Sequence, residues 1–145
     1  MGCSGPARGV CGSGLIALTD ALWRAGWIAR VGHVTDRLPP ARRAVGEWGA
    51  GVALGPDASV ALWERDFASL VRAKGAIFAG IRTLHRSLGE GAGPVARVVV
   101  SGNFGRFLKL PAAVGIGLLP DLPPGRFGYV ANGSLEGAVL ALLSR

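Results

Sequence analysis

The apolar positions of this chain follow helical spacing in two stretches, with an irregular segment between them. From Ser13 onward, Leu15, Leu18, Leu22 and Ala25 share one face, with Ile16, Thr19 and Trp23 beside them. That spacing predicts an amphipathic helix, and Gly26 is placed to end it. A longer stripe runs through Phe67, Leu70, Val71, Ile77, Ile81, Leu84 and Leu88. It predicts a helix over Phe67–Leu88, capped by Asp66 and closed by Gly89–Pro94. Between the two, Trp27–Val34 reads as a short strand or as the end of a helical hairpin. Thr35–Gly51 carries Pro39-Pro40, Arg42-Arg43 and three glycines, and reads as an exposed loop. Val52–Leu54 and Val60–Trp63 read as the arms of a hairpin turned at Gly55-Pro56-Asp57. Residues 1–10 read as a loop.

Beyond the long helix the period changes. Val95–Val100 ends in a β-branched run and reads as a strand; Pro111–Leu119 reads as a helix. Phe127–Val130 is a second strand, and Leu135–Ser144 a closing helix of small and apolar residues. The order helix, strand, turn, helix, strand, turn, helix predicts an α/β fold. It places two glycine turns, Ser101–Gly105 and Ala131–Ser134, at corresponding strand ends.

Composition narrows the class. The chain has 145 residues, 50% of them apolar, enough for one domain with a core. Its longest apolar runs, such as Ala138–Leu143, fall far short of the ~18 residues of a membrane span. The start, Met1 to Val10, has one arginine and no apolar run, which argues against a secretory signal. Met1-Gly2-Cys3-Ser4 is like a lipidation start, but position 6 is Pro rather than Ser or Thr. The expectation is therefore a cytoplasmic protein without a membrane anchor. The net charge of +7 invites nucleic acid, yet the basic residues are scattered. Their one local cluster, Arg37–Arg43, lacks interleaved aromatics, so nucleic acid is not the expected partner. Two cysteines, Cys3 and Cys11, cannot furnish the usual four ligands of zinc or an iron–sulfur cluster, and the expected metal set is empty. A Cys3–Cys11 disulfide is conceivable, but a cytosolic setting favours free thiols.

The candidate chemistry lies in turns. Gly9–Gly14, Gly-Val-Cys-Gly-Ser-Gly, leads into the first helix, so Gly12, Ser13 and Gly14 could present backbone N–H groups to an anion. The plainer reading is that Ser13 caps the helix and Cys11 is a small buried hydrophobe. At Ser101-Gly102-Asn103, followed by Phe104-Gly105, a buried strand breaks into a glycine turn, a place where backbone can approach a ligand. In the long helix, Arg72 and Lys74 sit mid-way with Gly75 and Gly80 as thin spots that suggest close packing or a ligand. For Lys74 alone, a solvated or snorkelling side chain is the plainer reading. His85 belongs to the far turn of that helix. Ser101, Asp66 and His85 form no recognisable nucleophile set, and the nine acidic residues include no evident acid/base pair. Neither a P-loop nor a Gly-x-Gly-x-x-Gly motif is present.

Five segments in order carry a family resemblance: GVCGSGLI, DFASLVRAKGAIFAGI, RVVVSGNFG, GIGLLPDLP and YVANGSLEGAVLALLS. Together they resemble the C-terminal part of the ATP-dependent reductive activators of corrinoid enzymes. The likeness covers nearly the whole chain and is weakest over Thr35–Ser59. It implies the fold shared by acetate and sugar kinases, heat-shock chaperones and actin, which is ribonuclease H-like. That fold is a mixed sheet flanked by helices, with a long helix before the adenosine strand. It further implies one partial domain over 1–145 with a loop-rich insertion at 35–59. The N-terminal half of the ATP domain and a [2Fe–2S] ferredoxin module are absent from the chain. Members use ATP to return an oxidised corrinoid to Co(I). The implied nucleotide contacts are Ser101, Gly102, Asn103, Phe104 and Gly105 at the adenosine turn, with Arg72, Lys74 and Gly75 from the helix. Gly9–Gly14 matches a family signature whose role is less defined.

The chain departs from the family at several points. Gly-Gly-Phe-Gly is here Gly102-Asn103-Phe104-Gly105, the closing Gly-Asn-Ala-Ala is Ala131-Asn132-Gly133-Ser134, and a Thr-Gln step is Trp63-Glu64-Arg65. No Asp-x-Gly-Thr phosphate motif is present, so Mg²⁺ and phosphates would be held through the missing half. Expected partners are that half and a corrinoid protein or corrinoid-dependent methyltransferase; a homodimer stays open. The alternatives are a stand-alone, non-catalytic interaction module retaining the fold, and a fragment of a sugar-kinase-like enzyme.

Overall fold

The computed structural model of the chain describes residues 7–55, 59–89 and 93–144. Helix α1 (Gly12–Arg24) buries Ile16, Thr19 and Leu22 on the face set by their spacing. It ends in a Schellman arrangement. Gly26, at φ +71°, lets its own N–H reach Trp23 O and that of Trp27 reach Leu22 O, at 3.0 and 2.9 Å. The chain then folds back through a single bridge between Ile28 and Val34, so Trp27–Val34 is a tight extended loop rather than part of a helical hairpin. Gly32, at φ +99°, lies against Phe67 and the Ala68 backbone, where a Cβ would come within 3.0 Å.

The loop reading of Thr35–Gly51 needs correction. After a short 3₁₀ turn, β1 (Arg43–Gly46) and β2 (Gly49–Leu54) form a hairpin, and β3 (Val60–Trp63) completes an antiparallel sheet of order β1-β2-β3. The glycines that suggest a loop have a packing reason. Gly51 pairs with Trp63, and a Cβ there would sit 2.7 Å from the indole; at Gly46 it would sit 2.9 Å away. The two glycines form a floor on which Trp63 lies. The β2–β3 hairpin is as expected, with Leu54 opposite Val60; its turn at Pro56-Asp57 lies outside the described residues.

Helix α2 (Glu64–Ser87) starts earlier than Asp66. Asp66 occupies its third position and accepts the Trp63 N–H at 2.9 Å, so the carboxylate closes the helix start from within. The first turns of α2 seat Phe67 in the core, fully buried. Leu70 packs against the apolar cluster of α4, Val71 and Ile81 are half-buried, and the distal positions Ile77, Leu84 and Leu88 are exposed, as is Phe78 beside them.

Two apolar clusters meet at α1. Leu22, Ile28, Leu38, Val52, Leu62 and Phe67 join α1, the loop, the antiparallel sheet and α2. Ile16, Ala112, Ala113, Ile116 and Leu118 join α1 to α4 (Leu110–Gly115), and Trp23 packs against both clusters. The helix read as Pro111–Leu119 is shorter because Gly117, at φ +74°, stops it in a second Schellman arrangement through Leu118 and Ala113. Gly115 is required where it is: a Cβ would run into the carboxylate of Asp20, which is ion-paired to Arg24 at 2.9 Å.

The strand read as Val95–Val100 is β4 (Val98–Ser101), which pairs in parallel with β5 (Phe127–Val130). A single helical turn, α3 (Asn103–Arg106), follows β4, and α5 (Gly133–Leu143) follows β5. The α/β class holds, with strands of both senses divided between two sheets.

Candidate functional site

The parallel register places Ser101 opposite Val130, so the turns after β4 and β5 emerge side by side. They are tied together directly. The Gly102 N–H donates to Val130 O at 3.1 Å, the Gly133 N–H to Ser101 Oγ at 3.0 Å, and the Tyr129 hydroxyl to Gly102 O at 3.2 Å. Ser101 therefore acts as a latch between the turns, a role its position at a strand end did not announce.

Within the first turn, the positive φ falls on Gly102 (+91°) rather than on Asn103. Asn103 instead opens α3, with helical backbone, which is how the chain accommodates a residue larger than glycine there. A Cβ on Gly102 would meet nothing within 4 Å, so the space before this turn is open. Gly105 is different: a Cβ would lie 2.5 Å from Val100 Cγ1 and 3.3 Å from the Tyr129 ring. Its absence lets α3 sit down on the strand pair. Beside the turn is a cleft of about 300 Å³ lined by Val100, Gly105, Arg106, Leu108, Phe127 and Tyr129.

The third glycine turn joins the same end of the molecule. The Phe104 ring lies over Gly12, 3.0 Å from where a Cβ would be, so the start of α1 touches the β4 turn. Cys11, not Ser13, is the N-cap; it is exposed, and its side chain caps nothing. The first turn of α1 has no acidic residue. Cys11 Sγ lies 3.4 Å from Ser13 Oγ. That hydroxyl, and then the backbone of Gly14, hold the thiol below its ordinary pKa. The reading of Cys11 as a buried hydrophobe is thus overturned by its position at the mouth of the helix. Cys3 lies outside the described residues, and with it the Cys3–Cys11 pairing.

The helix residues go elsewhere. Lys74 donates to the Ile116 carbonyl at 2.7 Å and lies 5.4 Å from the centroid of the Trp23 ring. Neither contact reaches the β4 turn. Lys74 is neither solvated nor merely snorkelling; it binds the end of α4 to α2 and α1. Arg72 is exposed and donates to Ser69 Oγ at 3.0 Å. Gly75 and Gly80 meet nothing within 4 Å, so close packing within the chain is not what they serve. The structure brings together Gly12, Ser101, Gly102, Phe104, Gly105 and Gly133. It does not bring Arg72, Lys74 or Gly75 into contact with them. Among the described residues no group of three or more His, Cys, Asp or Glu could hold a metal ion.

The family described as the C-terminal domain of RACo, the ASKHA domain, matches residues 1–145. Corrinoid activation enzyme RamQ of Eubacterium limosum is 29% identical over 151 residues, covering 95% of this chain and 26% of its own length. Among solved structures, a reductive activator for corrinoid, iron-sulfur protein is 40% identical and superposes with a TM-score of 0.76. That match covers 92% of this chain and 22% of the activator, so the chain spans about a quarter of these relatives.

Proposed function

This chain is a member of the family of the C-terminal ASKHA domain of RACo, and from that premise we propose that it is the ATP-binding lobe of a reductive activator. In this reading, ATP drives reduction of an inactive Co(II) corrinoid protein to Co(I). The partner is that corrinoid protein or a corrinoid-dependent methyltransferase, in the cytoplasm. The names of the two relatives support a corrinoid partner.

One observation carries the nucleotide assignment. The turns at Gly12, Gly102 and Gly133 converge at the carboxyl ends of two parallel strands, where open α/β sheets bind ligands. Gly102 faces open space, and the adjoining cleft, with Phe127, Tyr129 and Arg106, has the size and chemistry to take an aromatic base. Ser101, Asn103 and Gly105 shape that turn; Gly12, Ser13 and Gly14 offer N–H groups to an anion. Arg72, Lys74 and Gly75 remain proposed contacts from the helix side. The convergent turns hold no carboxylate, so Mg²⁺ and the phosphates depend on the companion half. The chain's two cysteines are too few to ligate a [2Fe–2S] cluster.

The test is amide exchange over Gly102–Gly105 with and without saturating ATP, in this chain joined to the remainder of an activator. Slowed exchange at Gly102 and Gly105 is expected; unchanged amides would overturn nucleotide binding at this turn. One observation favours the alternative, an interaction module without nucleotide chemistry: the Lys74 ammonium is already committed to Ile116.

A further inference from the structure

Two cavities meet at the end of α1, sharing Arg24 and Gly115 as walls. The smaller, about 180 Å³, is polar: Asp20, Trp23 and Arg30 also line it. The larger, about 450 Å³, is apolar, walled by Leu110, Val114, Leu122 and Phe127. An apolar chamber with a few polar groups gathered at one end is the usual form of a small-molecule site. Gly115 keeps the junction open. A Cβ there would run into Asp20 Oδ1 and come 3.2 Å from a terminal nitrogen of Arg24. Asp20 accepts the Arg24 Nε–H at 2.9 Å, which holds the guanidinium at the junction. The terminal N–H groups of Arg24 have no hydrogen-bond partner among the described residues. Arg30 has no ion pair there either, and its guanidinium lies 5.4 Å from the centroid of the Trp23 ring. The Trp23 Nε1–H is buried without a partner, a state native proteins rarely leave a donor in. It is closed off from solvent, so an acceptor in the smaller cavity reaches it after a small turn of the ring. Three donors therefore border a cavity whose one carboxylate, Asp20, is already paired. Asp121, on the larger cavity, is exposed, where salt and water screen it.

We infer that the joined cavities bind a small amphipathic anion: an apolar body, aliphatic or aromatic, that carries a single carboxylate. The body fills the larger cavity, and the carboxylate meets Arg24 and Arg30 in the smaller one. Charge complementarity selects this occupant over a neutral apolar molecule, because two guanidinium groups and an unpaired indole N–H would otherwise face it unused. The two oxygens of a carboxylate also match the planar fork of a guanidinium. A polypeptide segment fits less well: its backbone N–H and C=O groups would find no partners on walls made of leucine, valine and phenylalanine. Leu110 and Phe127 border both the larger cavity and the cleft at the β4 turn, so they form the partition between this site and the proposed nucleotide site. The inference does not rest on the nucleotide reading, and either can fail alone.

Octanoate is the probe, with octanol as its uncharged counterpart and acetate as its headgroup alone. The indole N–H of Trp23, assigned among the four tryptophans with Trp23→Phe, is followed by NMR in the 145-residue chain. The expected result is a saturable shift with a Kd of about 1 mM or below, as suits a ligand of this size. Octanol and acetate should each bind at least ~10-fold more weakly. Arg24→Gln with Arg30→Gln should weaken octanoate at least ~10-fold and leave octanol unchanged. Both arginines are exposed, so the double variant keeps the fold. No saturable shift below about 10 mM octanoate, equal affinity for octanol, or an unchanged Kd in the double variant each overturns the inference. Excess ATP should not displace octanoate; displacement would make the cavities part of the nucleotide site and overturn a separate one. In this chain joined to the remainder of an activator the shift should persist. Its loss there would show polypeptide in place of the small molecule and overturns the inference as well.

Discussion

Replacing Lys74 with methionine keeps the aliphatic stem and removes the ammonium. The structure then loses a 2.7 Å bond to the Ile116 carbonyl, at the end of α4, and a cation–π contact 5.4 Å from the Trp23 centroid. A hydrogen bond from a charged donor contributes ~1.5–3 kcal/mol, and a cation–π contact near the surface ~0.5–1 kcal/mol. Lys74 is half-buried, so the lower ends apply, and the loss is about 2 kcal/mol. Much of that is the Ile116 carbonyl left without its partner between α2 and the second Schellman turn. For a chain of this size such a loss lowers Tm by about 4–8 °C. Urea unfolding followed by the fluorescence of Trp23 and its neighbours reads it as a lower midpoint at unchanged slope. An unfolding free energy within ~0.5 kcal/mol of the parent would refute the tether. The same variant addresses the proposed nucleotide role: unchanged stability with weakened ATP binding would support Lys74 as the nucleotide contact proposed for it.

The two glycines of the β4 turn should respond differently to alanine. Gly105→Ala forces a Cβ to 2.5 Å from Val100 Cγ1 and should cost about 1–3 kcal/mol in urea unfolding, whereas Gly102→Ala meets open space and pays only for its positive φ, about 1 kcal/mol. In a Cys3→Ala background, Cys11 should alkylate faster at neutral pH than an unperturbed thiol, because its depressed pKa leaves more thiolate. Ser13→Ala removes the largest cause of that depression, so the rate–pH midpoint moves up and alkylation at neutral pH slows; an unmoved midpoint would contradict the Sγ–Oγ contact. Asn132 accepts the Leu135 N–H at 3.2 Å, so Asn132→Ala should fray α5 by about 1 kcal/mol, read as lost helical signal with the core amides unchanged.

What the sequence disclosed depended on whether a pattern had one cause. The α1 stripe, ended by Gly26, and the strand Phe127–Val130 were legible because local spacing and burial agree there. The β1–β2 hairpin was not. Gly46, Gly49 and Gly51 signal a loop when taken alone, and only Gly49 serves a turn, at φ +84°. The other two make room for Trp63, a residue at least 12 positions away that no local window contains. The distal stripe of α2 misled in the opposite sense. Ile77, Leu84 and Leu88 have the spacing of a core face, but a stripe states only that a surface wants covering, not that this chain covers it.

The site was legible in its parts and hidden in its assembly. Each glycine turn could be found from a strand or helix boundary, but their meeting depends on a parallel register that no single segment encodes. Ser101 shows what that register adds. In sequence it is one small residue at a strand end; in the structure its hydroxyl accepts the N–H that opens α5. The departure at Asn103 also changes meaning. A second glycine in the turn would be irreplaceable if both positions needed positive φ, but only Gly102 does, and Asn103 stands in helical backbone. The backbone geometry of the turn therefore survives the substitution.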